Sequence, residues 1–358
     1  MKPTQQLHDI GQSLWLDNIR RDLLTSGTLK QYIDDFSVTG LTSNPTIFDE
    51  AFKGSSDYDD SFRAHMKRKL TPEDLFFELA LEDLTEAADL FRPAHDATSG
   101  IDGWVSLEVS PKLAYETKDS VAQAKRLHHQ AARPNLFIKI PGTDEGLPAI
   151  EELIGDGIAV NVTLLFAAEH YQAAAEAYVR GIERRVEAGV SPDVPSVASV
   201  FISRWDKAIA DQVPEGMKDR LGVAVAKRTY RAYRELLSSD RWQRLENLGA
   251  RPQRLLWAST GTKDPDASDV LYISSLPAPQ TINTMPEKTL LAFADHGKVG
   301  DLLPPDGGDA EAVLAEFEDA GVDVDAVGTK LQNDGADAFV KSWDELLIGV
   351  EHKAASLD

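Results

Sequence analysis

Asn135-Leu136-Phe137-Ile138-Lys139-Ile140-Pro141-Gly142-Thr143 reads as a short strand with one charge at its centre. A turn residue opens it, five residues of strand character follow, and Pro-Gly ends it. In a strand, Phe137 and Lys139 share one face, while Leu136, Ile138 and Ile140 share the other. An amine held among apolar groups is costly to charge, so its neutral, nucleophilic form becomes accessible. A lysine that attacks a carbonyl to form a Schiff base needs that form. The plainer reading is a lysine that extends past the strand end to meet a carboxylate.

Outward from this stretch, strand-like runs alternate with helix-like segments. Residues 14–17, 38–45 and 104–111 precede it; residues 158–166, 194–204, 254–262 and 280–284 follow. Between them lie an amphipathic stretch through Phe36, helices within 46–92 (one of them over 72–91), and helices over 112–131, 167–188 and 215–240. Another helix follows Pro286. Such alternation indicates parallel βα units. Eight strands point to an α/β fold closed as one (β/α)8 TIM barrel with extra helices, rather than to an open sheet. With no internal repeat and no composition break, residues 1–358 are expected to form one domain. Its C-terminal region, about 300–358, is acidic and helical: a loop and helix on the outside over 302–325, then a last helix near 335–350.

Composition narrows the function. The 358 residues are 42% apolar and 27% charged, as in a globular protein with a substantial core. No apolar run is long enough to span a bilayer, and Met1–Leu7 lacks the apolar core of a signal peptide, so a cytoplasmic protein is expected. The absence of cysteine excludes disulfides and thiolate metal sites. Lys and Arg number 37 against 59 Asp and Glu, a net charge of −22. That surface repels nucleic acid and anionic lipid. A phosphorylated substrate would need local cations to overcome the background field. No GxGxxG or GxxxxGK[ST] occurs, there is no HExxH, and His128-His129 are adjacent rather than on one helix face. No metal and no cofactor is expected. A monomer or homodimer is expected.

Chemistry in such barrels gathers at the C-terminal ends of the strands. The polar residues near those ends are Asp17, Thr42, Asn44, Glu108, Lys139, Asn161, Thr163, Ser199, Arg204, Ser259 and Asn283. They supply carboxylates, one amine, amides, hydroxyls and a guanidinium, a set suited to carbonyl chemistry on a polyhydroxylated anion. Asp17 could take a proton from a substrate hydroxyl; its competing role is a helix N-cap. Glu108 sits inside a strand, where Glu rarely stands without a partner, and Lys139 on the next strand would serve. Asn161 and Thr163, two residues apart, project from one face. Arg204 is a phosphate fork in one reading, with Ser259 and Lys263 assisting, and a surface Arg opening the next helix in the other. Trp15, Trp104 and Trp257 read as core.

Several of these stretches, in this order, resemble the transaldolase family. They are 38–45 with its Thr-Ser-Asn-Pro ending, Val105-Ser106-Leu107-Glu108-Val109, the lysine strand, Asn161-Val162-Thr163-Leu164-Leu165-Phe166, and Ser199 to Arg204. Thr281-Ile282-Asn283-Thr284-Met285-Pro286 and Ala292-Phe293-Ala294-Asp295-His296-Gly297 look like the longer bacterial and plant-type branch. The resemblance implies a barrel enzyme of the pentose phosphate pathway that acts on sugar phosphates without a cofactor. By that likeness Lys139 forms the Schiff base with C2 of a ketose phosphate, and Asp17 takes the C4 hydroxyl proton. Glu108 and Thr163 position a water that moves protons. Thr42, Asn44, Asn161 and Ser199 hold the three-carbon unit, Phe201 shapes its pocket, and Arg204 and Ser259 bind phosphate. One departure stands out. The family's better-known branch has a second phosphate-binding Arg shortly after the position of Ser259, where this chain has Thr260-Gly261-Thr262-Lys263; Lys263 is the candidate replacement.

Three rivals remain. A fructose 6-phosphate aldolase uses the same lysine but lets water finish the reaction. Members of that branch are much shorter, with Gln at the position of Glu108 and Tyr at that of Phe201. A non-catalytic sugar-phosphate-binding barrel would not need a lysine and two carboxylates at one mouth. A pyridoxal-phosphate enzyme would show its own absorption spectrum.

Overall fold

Eight parallel strands close on themselves in sequence order in the computed structural model, which describes residues 1–357. They are β1 (Ser13–Asp17), β2 (Val38–Thr42), β3 (Trp104–Glu108), β4 (Leu136–Pro141), β5 (Val160–Leu165), β6 (Ser196–Phe201), β7 (Gln253–Ala258) and β8 (Ile282–Met285). Helices follow the strands and cover the outside, so the protein is an α/β (β/α)8 TIM barrel, as the alternation predicts.

The two faces of each strand sort as their period demands. Leu136, Ile138 and Ile140 of β4 pack outward with Leu14, Leu16, Val160 and Val162 against the helices. Phe137 packs inward with Trp15, Trp104, Val197 and Ile282 to fill the lower barrel. There Phe137 stacks on Trp104 at 4.1 Å between ring centroids and tilts against Trp15 at 6.1 Å. Gly40 of β2 makes room for this layer. A Cβ there would lie 2.6 Å from the Trp15 indole nitrogen and 2.7 Å from the Trp104 carbonyl oxygen. Aromatic filling below leaves the upper layer, where Lys139 sits, to polar side chains.

Several strands end earlier than the runs read from the sequence. Residues 43–45 form a helix start instead: Asn44 accepts from the Ile47 amide, with Pro45 in the first turn. Likewise β6 stops at Phe201, and Ser203–Ile209 is already helical. The helix expected over 72–91 runs through Pro93 to Ala97, from a Thr71 cap.

The largest difference lies at the C-terminus. Ala310–Asp319 is an outside helix, as expected, held to Leu221–Ser238 by Lys227–Asp309 and Arg228–Glu311 ion pairs at 2.6 Å. The last helix, however, is Val324–Leu357, about twice the length expected from residues 335–350, and it crosses the barrel mouth. Trp343 anchors it edge-on to Phe76 at 5.0 Å. Among the described residues no helix is long and apolar enough to cross a membrane.

Candidate active site

Strand register builds the site. Glu108 of β3 pairs with Lys139 of β4, and Lys139 pairs with Asn161 of β5, so the three residues form one row across adjacent strands. Equal register in parallel strands sends all three side chains to the same face. Lys139 is 5% exposed and Glu108 6%. The lysine Nζ donates to Glu108 Oε2 at 2.9 Å and to the Ser43 carbonyl at 3.2 Å. The amine is therefore held by a carboxylate and a carbonyl rather than by the apolar surroundings its strand suggests. Burial pushes the Glu108 carboxyl up; the Lys139 charge opposes this, and Asp17 adds to it.

Asp17 ends β1, half-buried on the opposite wall. It caps no helix, because the next one begins at Arg21 behind Arg20. Its Oδ1 accepts from Thr42 Oγ1 at 2.9 Å. Thr42 and Thr284 hydroxyls are 2.7 Å apart; since Thr42 has one proton and gives it to Asp17, Thr284 is the donor in that pair. Burial raises the Asp17 carboxyl, against the pull of Lys139, the Thr42 hydrogen bond and Lys263. Two carboxyls raised by burial thus flank one amine, an arrangement found where protons are moved.

A cavity of about 450 Å³ opens above this row and is lined by Asp17, Thr42, Asn44, Lys139, Thr163, Ser199, Phe201, Arg204, Ser259 and Lys263. Ten of the thirteen residues singled out in the sequence therefore meet in one space; Asn283 does not line it, and its side-chain oxygen accepts from Thr260 Oγ1 at 2.9 Å. Glu108 and Asn161 lie beneath it. Asn161 is fully buried, donating to Ser106 Oγ at 3.1 Å and accepting from Ser199 Oγ at 2.7 Å. Asn44 lines the cavity while its side-chain oxygen caps the helix behind it. The Thr163 hydroxyl is buried without a protein partner. A buried hydroxyl seldom goes unpaired, so water or a ligand group is its natural partner. Just beyond it the register slips between Val162 and Leu165, and Leu164 has φ +60°, so a bulge aims the end of β5.

The outer rim is cationic. Arg204 stands in the first turn of the Ser203–Ile209 helix, so it opens that helix and also lines the cavity. Lys263 lies in the loop after β7. Burial lowers both, and the Arg204 and Lys207 charges lower Lys263 further. Among the described residues, Arg204, Lys207 and Lys263 have no carboxylate partner within 4 Å, although acids outnumber bases 59 to 37. Mutually repelling cations left unpaired on so acidic a chain form a site for an anion.

The cavity has walls the sequence reading missed. Ala338, Phe339 and Ser342 of the C-terminal helix roof it, and the Phe339 ring centroid lies 5.8 Å from Lys139 Nζ. A signal was present in the small residues Gly328, Gly335, Ser342 and Gly349, one every seven, which mark the close-packed face of a helix. A cavity of similar volume at the opposite end is walled by Trp15, Trp104 and Phe137. Its charged side chains, Arg251 and Arg254, face Asp193 and Asp102, and no lysine is among its lining residues.

Comparison with known proteins gives the same direction. Residues 14–349 match the profile of the family described as Transaldolase/Fructose-6-phosphate aldolase. The chain is 44% identical to a protein named Transaldolase from Parafrankia sp. (strain EAN1pec), with 99% of each chain covered. It is 45% identical to a Transaldolase of Thermobifida fusca (strain YX), again over 99% of both. A Transaldolase 2 of Nostoc punctiforme is 39% identical, over 97% of this chain and 96% of the relative. With the amine, the two raised carboxyls and the cationic rim in one barrel mouth, the chain belongs to the transaldolase/fructose-6-phosphate aldolase family.

Proposed function

We propose that this protein is a transaldolase, which moves a dihydroxyacetone unit from a ketose phosphate to an aldose phosphate through an imine on Lys139. Sedoheptulose 7-phosphate or fructose 6-phosphate is the donor; glyceraldehyde 3-phosphate or erythrose 4-phosphate is the acceptor. The observation that carries this reading is the buried Lys139 amine, 2.9 Å from Glu108, in a cavity whose rim holds unpaired Arg204 and Lys263.

Lys139 adds to the C2 carbonyl, and loss of water leaves the iminium. Glu108 accepts a proton from the amine and returns it to the leaving hydroxyl, with a water held by the Thr163 hydroxyl as relay. Asp17 takes the C4 hydroxyl proton, the C3–C4 bond breaks, and the electrons pass to the iminium as an enamine. A carboxyl raised by burial suits this exchange, since it must also return the proton to the acceptor's new oxygen. Ser199 and Thr42 hold the three-carbon unit, Asn161 sets Ser199 from beneath, and Arg204, Ser259 and Lys263 take the phosphate. No metal or cofactor is required by these steps.

Borohydride trapping with fructose 6-phosphate, followed by peptide mass mapping, tests the reading. The expected result is a dihydroxyacetone-sized adduct on Lys139 that Lys139→Met abolishes. An adduct on another lysine, or none in folded protein, refutes it.

A further inference from the structure

The structure assigns a role to Phe339, from the helix that crosses the barrel mouth: we propose that its ring keeps water from the Lys139-bound enamine, so that the unit passes to an aldehyde instead of being released. This rests on the imine chemistry proposed above and adds the residue that decides the fate of the intermediate.

Three observations place the ring as a fixed wall. Its centroid lies 5.8 Å from Lys139 Nζ, and the side chain is half-buried in the cavity with Thr163 and Phe201. The helix that carries it is tied to the two strands that carry Lys139 and Thr163. The Gln332 amide donates to the Gly142 carbonyl at 3.1 Å, just past β4, and to the Leu164 carbonyl at 3.0 Å, at the β5 bulge. The register slip at the bulge interrupts the ladder there, and the Gln332 amide gives the Leu164 carbonyl a side-chain partner. Closeness is the third observation. A Cβ on Gly335 would lie 3.1 Å from the Leu164 side chain, and one on Gly328 would lie 3.0 Å from Trp205. On the far side, Thr46 Oγ1 donates to Ser342 Oγ at 3.1 Å, closing the roof onto the Pro45–Gly54 helix.

The chemistry makes this wall matter. In transfer, the enamine carbon forms a bond to the acceptor aldehyde carbon, and the proton held by Asp17 goes to the new oxygen. In release, that same carbon takes a proton from water, hydroxide adds to C2, and the C2–N bond breaks. One water is consumed, and dihydroxyacetone and the free Lys139 amine result. The routes differ only in what reaches the carbon first. An aromatic face beside the amine displaces water, whereas hydroxyls at that position would order it.

The test is a partition ratio: free dihydroxyacetone released per sedoheptulose 7-phosphate formed, with fructose 6-phosphate as donor and erythrose 4-phosphate as acceptor. A ratio per cleavage event does not depend on how much of a variant is folded. Phe339→Ala is expected to raise it about tenfold while the Lys139 adduct still forms on borohydride treatment. Phe339→Leu, which keeps apolar bulk, is expected to stay near the wild-type ratio. If Phe339→Ala leaves the ratio unchanged while wild type shows both adduct and transfer, the role of Phe339 is overturned and the proposed function stands. Wild-type protein that gives neither adduct nor cleavage would overturn both.

Discussion

Asp17 is pulled in opposite directions by its neighbours. Burial raises its carboxyl, while Lys139, the Thr42 hydroxyl and Lys263 lower it. In the proposed reaction Asp17 must be ionised to take the C4 proton, so activity falls as pH drops through its titration. Thr42 donates to the ionised form, so removing that hydroxyl favours the protonated one. Thr42→Val is therefore expected to move the acid limb of kcat/KM to higher pH, leaving the alkaline limb in place. A limb that moves down or stays would show that Asp17 is not the group that titrates. The Lys139–Glu108 pair works differently. It is buried, and truncating one partner of a buried pair strands the other charge at about 3–5 kcal/mol. Loss of activity in a Glu108 variant would thus mix catalysis with stability, whereas the Thr42 shift is read from a ratio within one folded protein.

Between residue and barrel, strain is concentrated where the site is made. Ser259, directly after β7, is a non-glycine residue at φ +54°, and its hydroxyl lies 2.9 Å from that of Ser203 at the cationic rim. A left-handed conformation costs an L-residue about 1–2 kcal/mol, which glycine avoids, while glycine loses about 0.5–1 kcal/mol more entropy on folding. Ser259→Gly is therefore expected to leave stability unchanged or up by no more than about 1.5 kcal/mol, while KM for the phosphorylated substrate rises. A loss of stability larger than that, measured by urea unfolding, would refute the strain argument. The sequence disclosed Lys139 and its neighbours because strand alternation is a two-residue pattern that places side chains on a face without tertiary information. Phe137 and Lys139 needed only that. Ser259 was legible as a residue type and not as a strained one, since φ depends on the loop that closes around it. Strand ends were overrun for a related reason: the runs were carried to Pro45 and Arg204, whereas an Asn44 cap before Pro45 and a helix start at Ser203 stop the strands at Thr42 and Phe201. The roof was least legible. Every seventh residue of the C-terminal helix is small, which says that something packs close but not which surface does, and Leu331, Trp343 and Leu346 would bury equally well against the outside.

At the scale of the whole molecule, charge sets the conditions under which the rest operates. A net charge of −22 on 358 residues makes the folded chain repel itself. Ion pairs offset part of this, as where Arg228 and Arg231 meet Glu311, or Arg241 bridges Glu176 and Glu183. Most such pairs are at least partly exposed, and exposed pairs contribute only about 0–1 kcal/mol each. Salt screens both kinds of interaction over a Debye length of about 10 Å at 0.1 M. Pairs in contact near 2.7 Å lose little to that screening, while repulsion summed over longer distances loses most of its strength. The two effects therefore differ in net sign. Sodium chloride is expected to raise Tm steadily from about 10 mM to 0.5 M, with each kcal/mol of relieved repulsion worth roughly 1 °C in a chain this size. The same screening works against the rim, where Arg204 and Lys263 attract phosphate, so KM for the sugar phosphate is expected to rise over the range in which Tm climbs. A Tm that falls with salt would mean that paired charges, not net charge, govern the fold. A KM indifferent to salt would mean that the rim holds its anion by hydrogen bonds from Ser259 and its neighbours, with the two cations contributing little.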